Sequence, residues 1–347
     1  ALLRCKMLAI DEISMLDNLT FDYVNSVLKI IREDESPFGG IQLLIFGDFF
    51  QLPPVRMEED GKDFCFNSDT WKELNLKTII LKKVRRQSEA RLAEALNNVR
   101  IDKTTAKDLK AFYERDFEFN FETPQDVLQI FGVNSQADAY NTKCFNAIDK
   151  ETHCYEAKDD LYCYDLAGKC TIKNLKNVNI EEIDPYDVAA LKRFNEDCKA
   201  PQKLELKEGC RVMLLKNLDV KLGLANGTCG TVKRLADDAV EILFDNGEQV
   251  VLNPAEFEYI REGRTKIKRS QYPLRLAYGI TVHKSQGMTF DKLVVNFNRI
   301  FDFGQAYVAL SRTRDLEGLI IKGFNPNKIV ANKEVVEFYK NLEANNS

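Results

Sequence analysis

In the first third of the chain, short apolar runs alternate with stretches of helical spacing. The runs at residues 5–10, 42–46 and 78–81 have the length and composition of buried strands. Apolar residues recur at helical spacing at Phe21, Val24, Leu28 and Ile31, and again at Leu92, Leu96 and Val99. Ser68 and Ser88 are suited to cap the helices predicted after them. Strands that alternate with helices predict an α/β domain with a parallel sheet.

Polar residues stand at the carboxyl ends of two of these predicted strands. Asp11 and Glu12 follow the first strand, and Gly47 and Asp48 follow the second. Ligands of parallel sheets bind where the strands end. These residues are therefore candidates for a shared binding site.

The pattern changes further along the chain. Residues 126–133 predict another strand and residues 137–148 a helix, which would open a second α/β unit. Residues 155–200 are polar and show no clear period. Short runs separated by Asn-Gly turns then predict a small antiparallel barrel, because Asn-Gly is a strong hairpin signal. Its strands are predicted at 210–215, 228–235, 239–244 and 249–252, and the α/β pattern resumes near Pro273 and closes with a strand at 319–321.

Composition narrows the class of protein. The chain has 347 residues, enough for two or three domains, and hydrophobic residues make up 44% of it. No apolar stretch approaches the ~20 residues of a membrane span. The 49 basic and 54 acidic residues give a net charge of −5, which argues against a duplex binder that relies on its overall field. This argument does not apply to a motor that binds nucleic acid in a narrow basic channel, because the local potential there matters more than the net charge.

Nine cysteines and two histidines raise the question of a metal site. The tightest grouping is His153, Cys154, Cys163 and Cys170, and it could bind zinc. Its spacing is irregular and no cysteine pair has the CxxC spacing. Reduced thiols of an intracellular protein are the alternative.

The acidic pair Asp11-Glu12 has the chemistry of a nucleotide-hydrolysing sheet. In such a sheet the first carboxylate holds the hydration shell of Mg²⁺, and the second accepts a proton from the attacking water. Solvated carboxylates at a strand end are the alternative, since apolar strands that end in two acids are common.

The loop at residues 47–55 is a more specific feature. Two adjacent prolines at 53–54 stiffen it and remove two amide donors. Gln51 could contact a γ-phosphate or orient water, and Phe49 and Phe50 could stack on bases or fill a core. Taken alone, the loop could also be a structural turn.

Three further stretches carry groups that suit phosphate chemistry. Residues 82–87 form a basic run, which is either a solvated turn or holds an arginine finger that stabilises charge on a transferring phosphoryl group. Residues 281–289 gather hydroxyls, a Lys and a Gln that can donate to phosphate oxygens, although His283 could be a structural histidine. Residues 307–314 predict an amphipathic helix on which Arg312 is either a surface charge or a second finger.

Taken in order, these segments resemble the petite-integration-frequency (Pif) helicases, in the RecD-like branch of superfamily 1. The matching stretches are DEIS at 11–14, GDFFQLPPV at 47–55, RRQ at 85–87, TVHKSQGMT at 281–289 and YVALSRTR at 307–314. The likeness extends from about residue 5 to 323 and is weakest across 150–205.

The resemblance implies an α/β fold of two RecA-like lobes, with a small Src-homology-like β-barrel inserted in the second. We expect residues 1–122 to form the C-terminal part of the first lobe with a linker. Residues 123–152 and 271–347 would form the second lobe. Residues 153–270 would form the insert, with the barrel at about 205–260.

The resemblance also implies roles at the nucleotide site, with ATP and Mg²⁺ as cofactors. Asp11 would hold Mg²⁺ through water, and Glu12 would be the catalytic base. Gln51 would sense the γ-phosphate. Arg86 and Arg312 would be two fingers that reach across from the second lobe.

Residues near the nucleic acid follow from the same matches. Those implied to contact the single strand or its backbone are Phe49, Pro53, His283, Lys284 and Ser285. Gln286 and Gly287 would contact the nucleotide and link it to the DNA. A basic tail of the insert could add a phosphate track or be a solvated charged loop, and it comprises Arg261, Arg264, Lys266, Lys268 and Arg269.

The implied activity is that of an ATP-dependent DNA helicase that moves 5′-to-3′ on single-stranded DNA and unwinds duplexes. Repair, recombination and telomere or genome maintenance are the implied processes. The expected partners are single-stranded DNA and duplex junctions, with no membrane and a monomeric state. We expect an intracellular protein, nuclear if eukaryotic, with a mitochondrial, viral or cytoplasmic location as alternatives.

One family feature has no counterpart in the sequence. No GxxxxGK[ST] loop occurs in it, and its backbone amides and Lys normally cradle the phosphates. The chain starts at Ala1 directly before a predicted strand, which suggests a fragment that lacks this loop and a strand-separating wedge. We therefore expect the chain alone to hydrolyse little ATP. The alternatives are a RecD or relaxase-type helicase subunit and a non-catalytic nucleic-acid-binding remnant.

Overall fold

The computed structural model describes residues 2–54, 63–117, 127–164, 170–175, 183–261 and 265–345. Its strands are β1 Met7–Ile10, β2 Gln42–Ile45, β3 Gln129–Phe131, β4 His153–Glu156, β5 Lys158–Tyr164, β6 Cys170–Asn174, β7 Lys203–Leu206, β8 Arg211–Leu214, β9 Cys229–Ala236, β10 Ala239–Phe244, β11 Gln249–Leu252, β12 Ala255–Arg261, β13 Thr265–Gln271, β14 Leu274–Leu276, β15 Gly279–Thr281, β16 Leu293–Asn296 and β17 Leu319–Lys322. Its α-helices are α1 Asn18–Arg32, α2 Asp69–Glu73, α3 Ala90–Arg100, α4 Ala106–Tyr113, α5 Asn134–Asn146, α6 Pro185–Asp197, α7 Val282–Ser285, α8 Gln305–Leu310 and α9 Lys333–Asn345. The chain divides into two compact units, residues 1–136 with 280–347, and residues 137–279.

The first unit contains two parallel sheets, which confirms the α/β prediction. β1 and β2 pair in parallel, from Met7 opposite Gln42 to Ile10 opposite Ile45. The second sheet has the order β15-β3-β16-β17, and β16 is parallel to both of its neighbours. The carboxyl ends of β1 and β2 therefore meet at one edge, as the sequence predicts.

An aromatic core beside β1 and β2 holds the first part of this unit together. α1 is capped by Asp17, whose side chain accepts from the amide of Thr20, and its apolar face contributes Phe21 and Leu28. The last helix, α9, adds Val335 and Phe338 to the same core, although we predicted residues 271–347 to belong to the second lobe. The domain boundaries themselves stay a prediction.

Two local predictions for this unit are wrong. Residues 78–81 form no strand, and the side chains of Ile79 and Leu81 are 75% and 90% exposed. α3 begins after Glu89, not after a capping Ser88. The hydroxyl of Ser88 instead donates to the carbonyl oxygen of Arg314. Ser68 does cap α2, since its side chain accepts from the amide of Trp71.

The second unit contains the predicted antiparallel strands. They form a five-stranded sheet in the order β11-β10-β9-β8-β14, in which each pair of neighbours is antiparallel. The predicted bounds of β10 and β11 match, and those of β8 and β9 differ by one residue at each end. Buried Val212, Val232, Val240 and Ile242 belong to its core.

A second sheet of this unit includes two strands, β5 and β6, from the stretch where the sequence shows no period. Its order is β12-β13-β5-β6, and α6 packs on it through Ala190 and Phe194. The predicted basic tail is part of it. Arg269 is 1% exposed and forks onto Asp159, with both nitrogen–oxygen distances between 2.7 and 2.9 Å.

Two lysines of the predicted basic tail also have acidic partners. Lys266 pairs with Glu258, and Lys268 pairs with both Glu256 and Glu258. Arg264 lies outside the described residues. Buried Arg269 is therefore not available to a phosphate backbone, whereas a phosphate track through Arg261, Lys266 and Lys268 stays a prediction.

The described residues do not contain the proposed zinc site. No group of three or more His, Cys, Asp or Glu that could hold a metal ion is found among them. Within that part of the chain, no helix is both long and apolar enough to cross a membrane.

Candidate functional site

The candidate site lies in the first unit, where β1 and β2 end. Asp11 is exposed after β1, and its carboxylate accepts from the amide of Glu12 at 2.9 Å. Glu12 has a left-handed backbone, with φ of 51°, which a non-glycine residue adopts at a cost. The chain therefore bends directly after β1, at the second residue of the acidic pair.

Gly47 allows the end of β2 to pass close to that bend. Its φ is 147°, and a Cβ there would lie 2.8 Å from the amide nitrogen of Ile13. The amide of Ile13 in turn donates to the carbonyl oxygen of Phe46 at 3.1 Å. The acidic pair and the loop after β2 are thereby fixed beside one another.

A tight turn follows, in which the amide of Gln51 donates to the carbonyl oxygen of Asp48 at 2.9 Å. The side chain of Gln51 is half-buried and makes no hydrogen bond within the described residues. Pro53 is buried, and Val55 lies outside the described residues. The carboxamide of Gln51 is thus not committed to a partner among the described residues, and its role as a γ-phosphate sensor stays a prediction.

Phe49 fills a core instead of facing solvent. Its ring is 6% exposed and meets Phe64, Phe66 and Trp71 edge-on, with ring centroids 4.9 to 6.0 Å apart. Of the two roles considered for this residue, the structure shows the core-filling one. Its proximity to a nucleic acid strand stays a prediction.

Gln286 joins the acidic pair from the far end of the sequence. Its Nε2 donates to Glu12 Oε2 at 2.9 Å. Its Oε1 is buried and has no hydrogen-bond partner among the described residues. Gly287 follows with φ of 77° and open space where a Cβ would stand. An unpaired buried acceptor beside a carboxylate marks a place where a donor, such as water, would be stabilised.

Arg86 is held on the same side of the unit. Its Nε donates to Thr289 Oγ1 at 3.0 Å, and a second nitrogen lies 3.5 Å from the carbonyl oxygen of Ser311. Burial lowers the pKa of Arg86, and the negative charge of Glu12 is among the influences that oppose this shift.

Arg312 follows α8 and is almost completely buried, although we predicted it on the helix itself. Its guanidinium donates to the carbonyl oxygen of Val308 at 2.7 Å and to Ser311 Oγ at 2.8 Å. Burial, together with the charge of Arg86, lowers the pKa of Arg312 to about 10, while Glu12 acts to raise it. Arg312 is neither a surface charge nor part of the helix.

The structure therefore brings most of the predicted nucleotide site together. The carboxylate of Glu12 is hydrogen-bonded to Gln286 and is close enough to influence both Arg86 and Arg312. Asp11 and the loop that carries Gln51 follow the carboxyl ends of the paired strands β1 and β2.

The residues predicted to contact DNA differ in their exposure to solvent. Thr281 caps the short helix α7 by accepting from the amide of Lys284, and Lys284 is exposed. Burial lowers the pKa of His283, opposed by the charge of Asp302. Ser285 is fully buried and donates to the carbonyl oxygen of Val282 at 2.7 Å. The Ser285 hydroxyl is thus committed to its own helix in this conformation.

Comparison with known proteins identifies the family. The profile of PIF1-like helicase matches residues 1–110, and that of the DNA helicase Pif1 2B domain matches residues 191–235. The ATP-dependent DNA helicase PIF1 of Xenopus laevis is 33% identical over 345 residues, which is 98% of this chain and 50% of that protein. The crystal structure of Pif1 helicase from Candida albicans is 32% identical, with a TM-score of 0.78, over 98% of this chain and 78% of that one.

The chain belongs to the Pif1 helicase family. A Pif1 helicase from Bacteroides, in complex with ADP-AlF3 and ssDNA, matches 99% of this chain and 76% of that one at 28% identity and a TM-score of 0.67. The two RecA-like lobes expected from the sequence are confirmed by these neighbours. The chain spans about half the length of the curated Pif1 relatives it matches.

This Pif1-family chain also places residues at the site that our sequence analysis did not assign. Gln87 donates from Nε2 to the carbonyl oxygens of Ser311 and Thr313, which flank Arg312. Its signal in the sequence is its place in the matching stretch RRQ at 85–87, directly after Arg86. The sequence marks Asp48 only as a candidate at the end of β2, and nothing in the sequence pattern indicates that its carboxylate pairs with the guanidinium of the distant Arg100.

The donors present fit part of a nucleotide site. Asp11 offers an exposed carboxylate, the type of ligand that Mg²⁺ accepts directly or through water. The unpaired Oε1 of Gln286 and the two arginines supply an acceptor and positive charge near Glu12. In this Pif1-family chain, the parts that fit are those expected around Mg²⁺ and the γ-phosphate.

Proposed function

We propose that this chain supplies the catalytic carboxylates, the γ-phosphate sensor and both arginine fingers of an ATP-dependent DNA helicase motor. The observation that carries the proposal is the position of Glu12, which is bonded to Gln286 and subject to the charges of Arg86 and Arg312. A base that can orient water, near arginines that can stabilise charge on the phosphoryl group, suits phosphoryl transfer to water.

Each residue has a defined task in this proposal. Asp11 holds Mg²⁺ through water, and Glu12 accepts the proton of the attacking water. Gln51 contacts the γ-phosphate. Arg86 and Arg312 place positive charge where negative charge develops in the transition state, which is worth about 10³–10⁵ in rate for an arginine finger. When bound, Mg²⁺ supplies neutralisation of charge on the phosphate oxygens.

The nucleic-acid part of the proposal rests on the relatives. The Bacteroides Pif1 structure contains both ADP-AlF3 and ssDNA. We propose that single-stranded DNA and duplex junctions are the partners here, that travel is 5′-to-3′, and that His283 and Lys284 lie on the path from DNA to nucleotide. Lys284 is exposed and positively charged, which suits contact with a phosphate.

Substitution of Glu12 tests the proposal in a protein that joins this chain to a nucleotide-phosphate loop. Glu12→Gln keeps the acceptor for Gln286 but removes the base, so ATP turnover stimulated by single-stranded DNA should fall by about 10²–10⁴-fold. Glu33→Gln is the matched control, because Glu33 is exposed at the end of α1 and also has a left-handed backbone. Turnover that survives Glu12→Gln would contradict the proposal.

The chain by itself should behave differently. It contains no GxxxxGK[ST] loop, so it lacks the amides and Lys that normally cradle the phosphates. We propose that its own single-turnover ATP hydrolysis is close to the uncatalysed rate. Robust turnover by the 347-residue chain would show that the nucleotide is held by other residues.

A further inference from the structure

The loop that carries Gln51 is held by a residue from the last helix. Tyr339 of α9 accepts a hydrogen bond from the amide of Phe49 at 3.2 Å and donates one to Asp48 Oδ1, also at 3.2 Å. Its ring stacks on Phe50, with centroids 4.9 Å apart and planes 12° apart. Tyr339 therefore contacts three consecutive residues directly before Gln51.

Arg100 of α3 completes this arrangement. Its guanidinium makes a bidentate ion pair with the Asp48 carboxylate, with two nitrogen–oxygen distances of 2.7 Å. The same guanidinium lies over the rings of Phe50 and Tyr339, 4.5 and 5.2 Å from their centroids. Burial acts to lower the pKa of Arg100, but the hydrogen bonds and charge of Asp48 outweigh it and raise the pKa. The guanidinium thus stays charged beside Asp48, and a bidentate pair of this kind has strict geometry.

The ion pair fixes Gln51 through the backbone. The carbonyl oxygen of Asp48 accepts the amide of Gln51, so the residue that binds Arg100 and Tyr339 also closes the turn that presents Gln51. Gly304 also approaches Gln51 so closely that a Cβ there would collide with the carbonyl oxygen of Gln51. The backbone of Gln51 consequently has little freedom.

We propose that Tyr339 is a positioning residue for Gln51, so that the C-terminal helix α9 sets the geometry of the γ-phosphate sensor. This inference rests on the proposed role of Gln51. Tyr339 acts through Asp48 and the Phe49 amide and does not itself touch the nucleotide.

Hydrogen exchange in the 347-residue chain tests whether Tyr339 holds the loop that carries Gln51. Tyr339→Phe keeps the ring stacked on Phe50 but removes the acceptor of the Phe49 amide. Loss of one hydrogen bond should speed exchange of the Phe49 and Gln51 amides about three- to tenfold. Tyr23→Phe is the control, because Tyr23 lies on α1 with its side chain 69% exposed. Unchanged exchange in Tyr339→Phe would overturn the proposal.

Kinetics in the protein with a nucleotide-phosphate loop test whether Tyr339 affects catalysis through Gln51. We expect Tyr339→Phe to lower kcat about tenfold with little change in KM, because a mispositioned sensor acts mainly in the transition state. In a Gln51→Ala background the same substitution should have no further effect on kcat. An equal loss in both backgrounds would show a general structural role and would sink the proposal.

Together, the exchange and kinetic experiments distinguish failure of the proposed Tyr339 role from failure of the proposed function. If Gln51→Ala leaves ATP turnover unchanged, the sensor role of Gln51 is wrong, whatever the exchange rates show. If Gln51→Ala lowers turnover but Tyr339→Phe alters neither exchange nor kcat, the proposed function stands and the role of Tyr339 is wrong. Equal unfolding curves for Tyr339→Phe and Tyr23→Phe exclude misfolding as the cause.

Discussion

Gln286 Nε2 donates a hydrogen bond to Glu12 Oε2 across 2.9 Å, and 274 positions of sequence separate the two residues. The bond joins a residue that follows the first strand to one that follows α7. It holds the carboxylate of the proposed base in one orientation and leaves Gln286 Oε1 buried without a protein partner. A water or phosphate-bound hydroxyl that entered here would meet both an acceptor and a base.

Gln87 should stabilise the backbone on either side of Arg312. Its amide donates to the carbonyl oxygens of Ser311 and Thr313 at 3.1 and 3.0 Å. Gln87→Leu removes both donors, and we expect the free energy of unfolding to fall by about 1–3 kcal/mol in urea denaturation. Ser88→Ala, which removes one bond of 3.3 Å at an exposed position, is the control and should change it by less than about 0.5 kcal/mol. Equal effects of the two substitutions would contradict this expectation.

Arg269 should matter for the stability of the second unit. It is 1% exposed and paired with buried Asp159, so Arg269→Met leaves an uncompensated buried carboxylate. We expect a loss of about 3–5 kcal/mol, measured by chemical denaturation. Arg193→Met is the control, since Arg193 and Asp197 form an exposed pair worth about 0–1 kcal/mol.

The double substitution Arg269→Met with Asp159→Leu should recover much of that stability, because neither charge then remains buried. Failure to recover would indicate that the bonds from Arg269 to the carbonyl oxygen of Ala200 and to Asn195 dominate instead.

Acid should destabilise the protein in part through His283. Burial lowers the pKa of His283 in the folded state, so the unfolded chain binds the proton more readily. This contribution to stability is complete above the unfolded pKa of about 6.5 and is lost as the pH falls through the folded value. Comparison of Tm between pH 7 and pH 5.5 should show a smaller decrease for His283→Gln than for the unmodified chain. His153→Gln controls for loss of the other histidine, and an equal decrease in His283→Gln would rule the effect out.

The cysteines should fall into two reactivity classes. Burial raises the pKa of both Cys65 and Cys229 to about 12, so almost no thiolate is present at pH 8. Cys154 and Cys170 are exposed. Iodoacetamide at pH 8, followed by peptide mass spectrometry, should label the exposed pair first and the buried pair only after denaturation. Early labelling of Cys65 would show that the core beside Ile13 opens readily.

The sequence by itself determined the elements with strong local signals. α1, α2 and the Asn-Gly hairpin strands lie close to where apolar spacing, Ser68 and the turn residues predict them. The strand prediction for residues 78–81 is wrong because it rested on their apolar composition alone. A strand also needs a partner to pair with, and the described residues provide none for this segment. The pattern of apolar residues in a segment indicates which side chains it can bury, but it does not show whether a neighbouring strand is present to pair with it.

The sequence also determined which residue types stand at the ends of β1 and β2, and ordered motifs pointed to the family that the comparisons then showed. Only the tertiary structure decided that Phe49 is a core residue, that Arg269 is buried against Asp159, and that Tyr339 holds the Gln51 loop. Each of these depends on contacts between residues at least 15 positions apart, and often more than 100. No helical or strand period encodes such contacts, because they form only when the packed elements bring the side chains together.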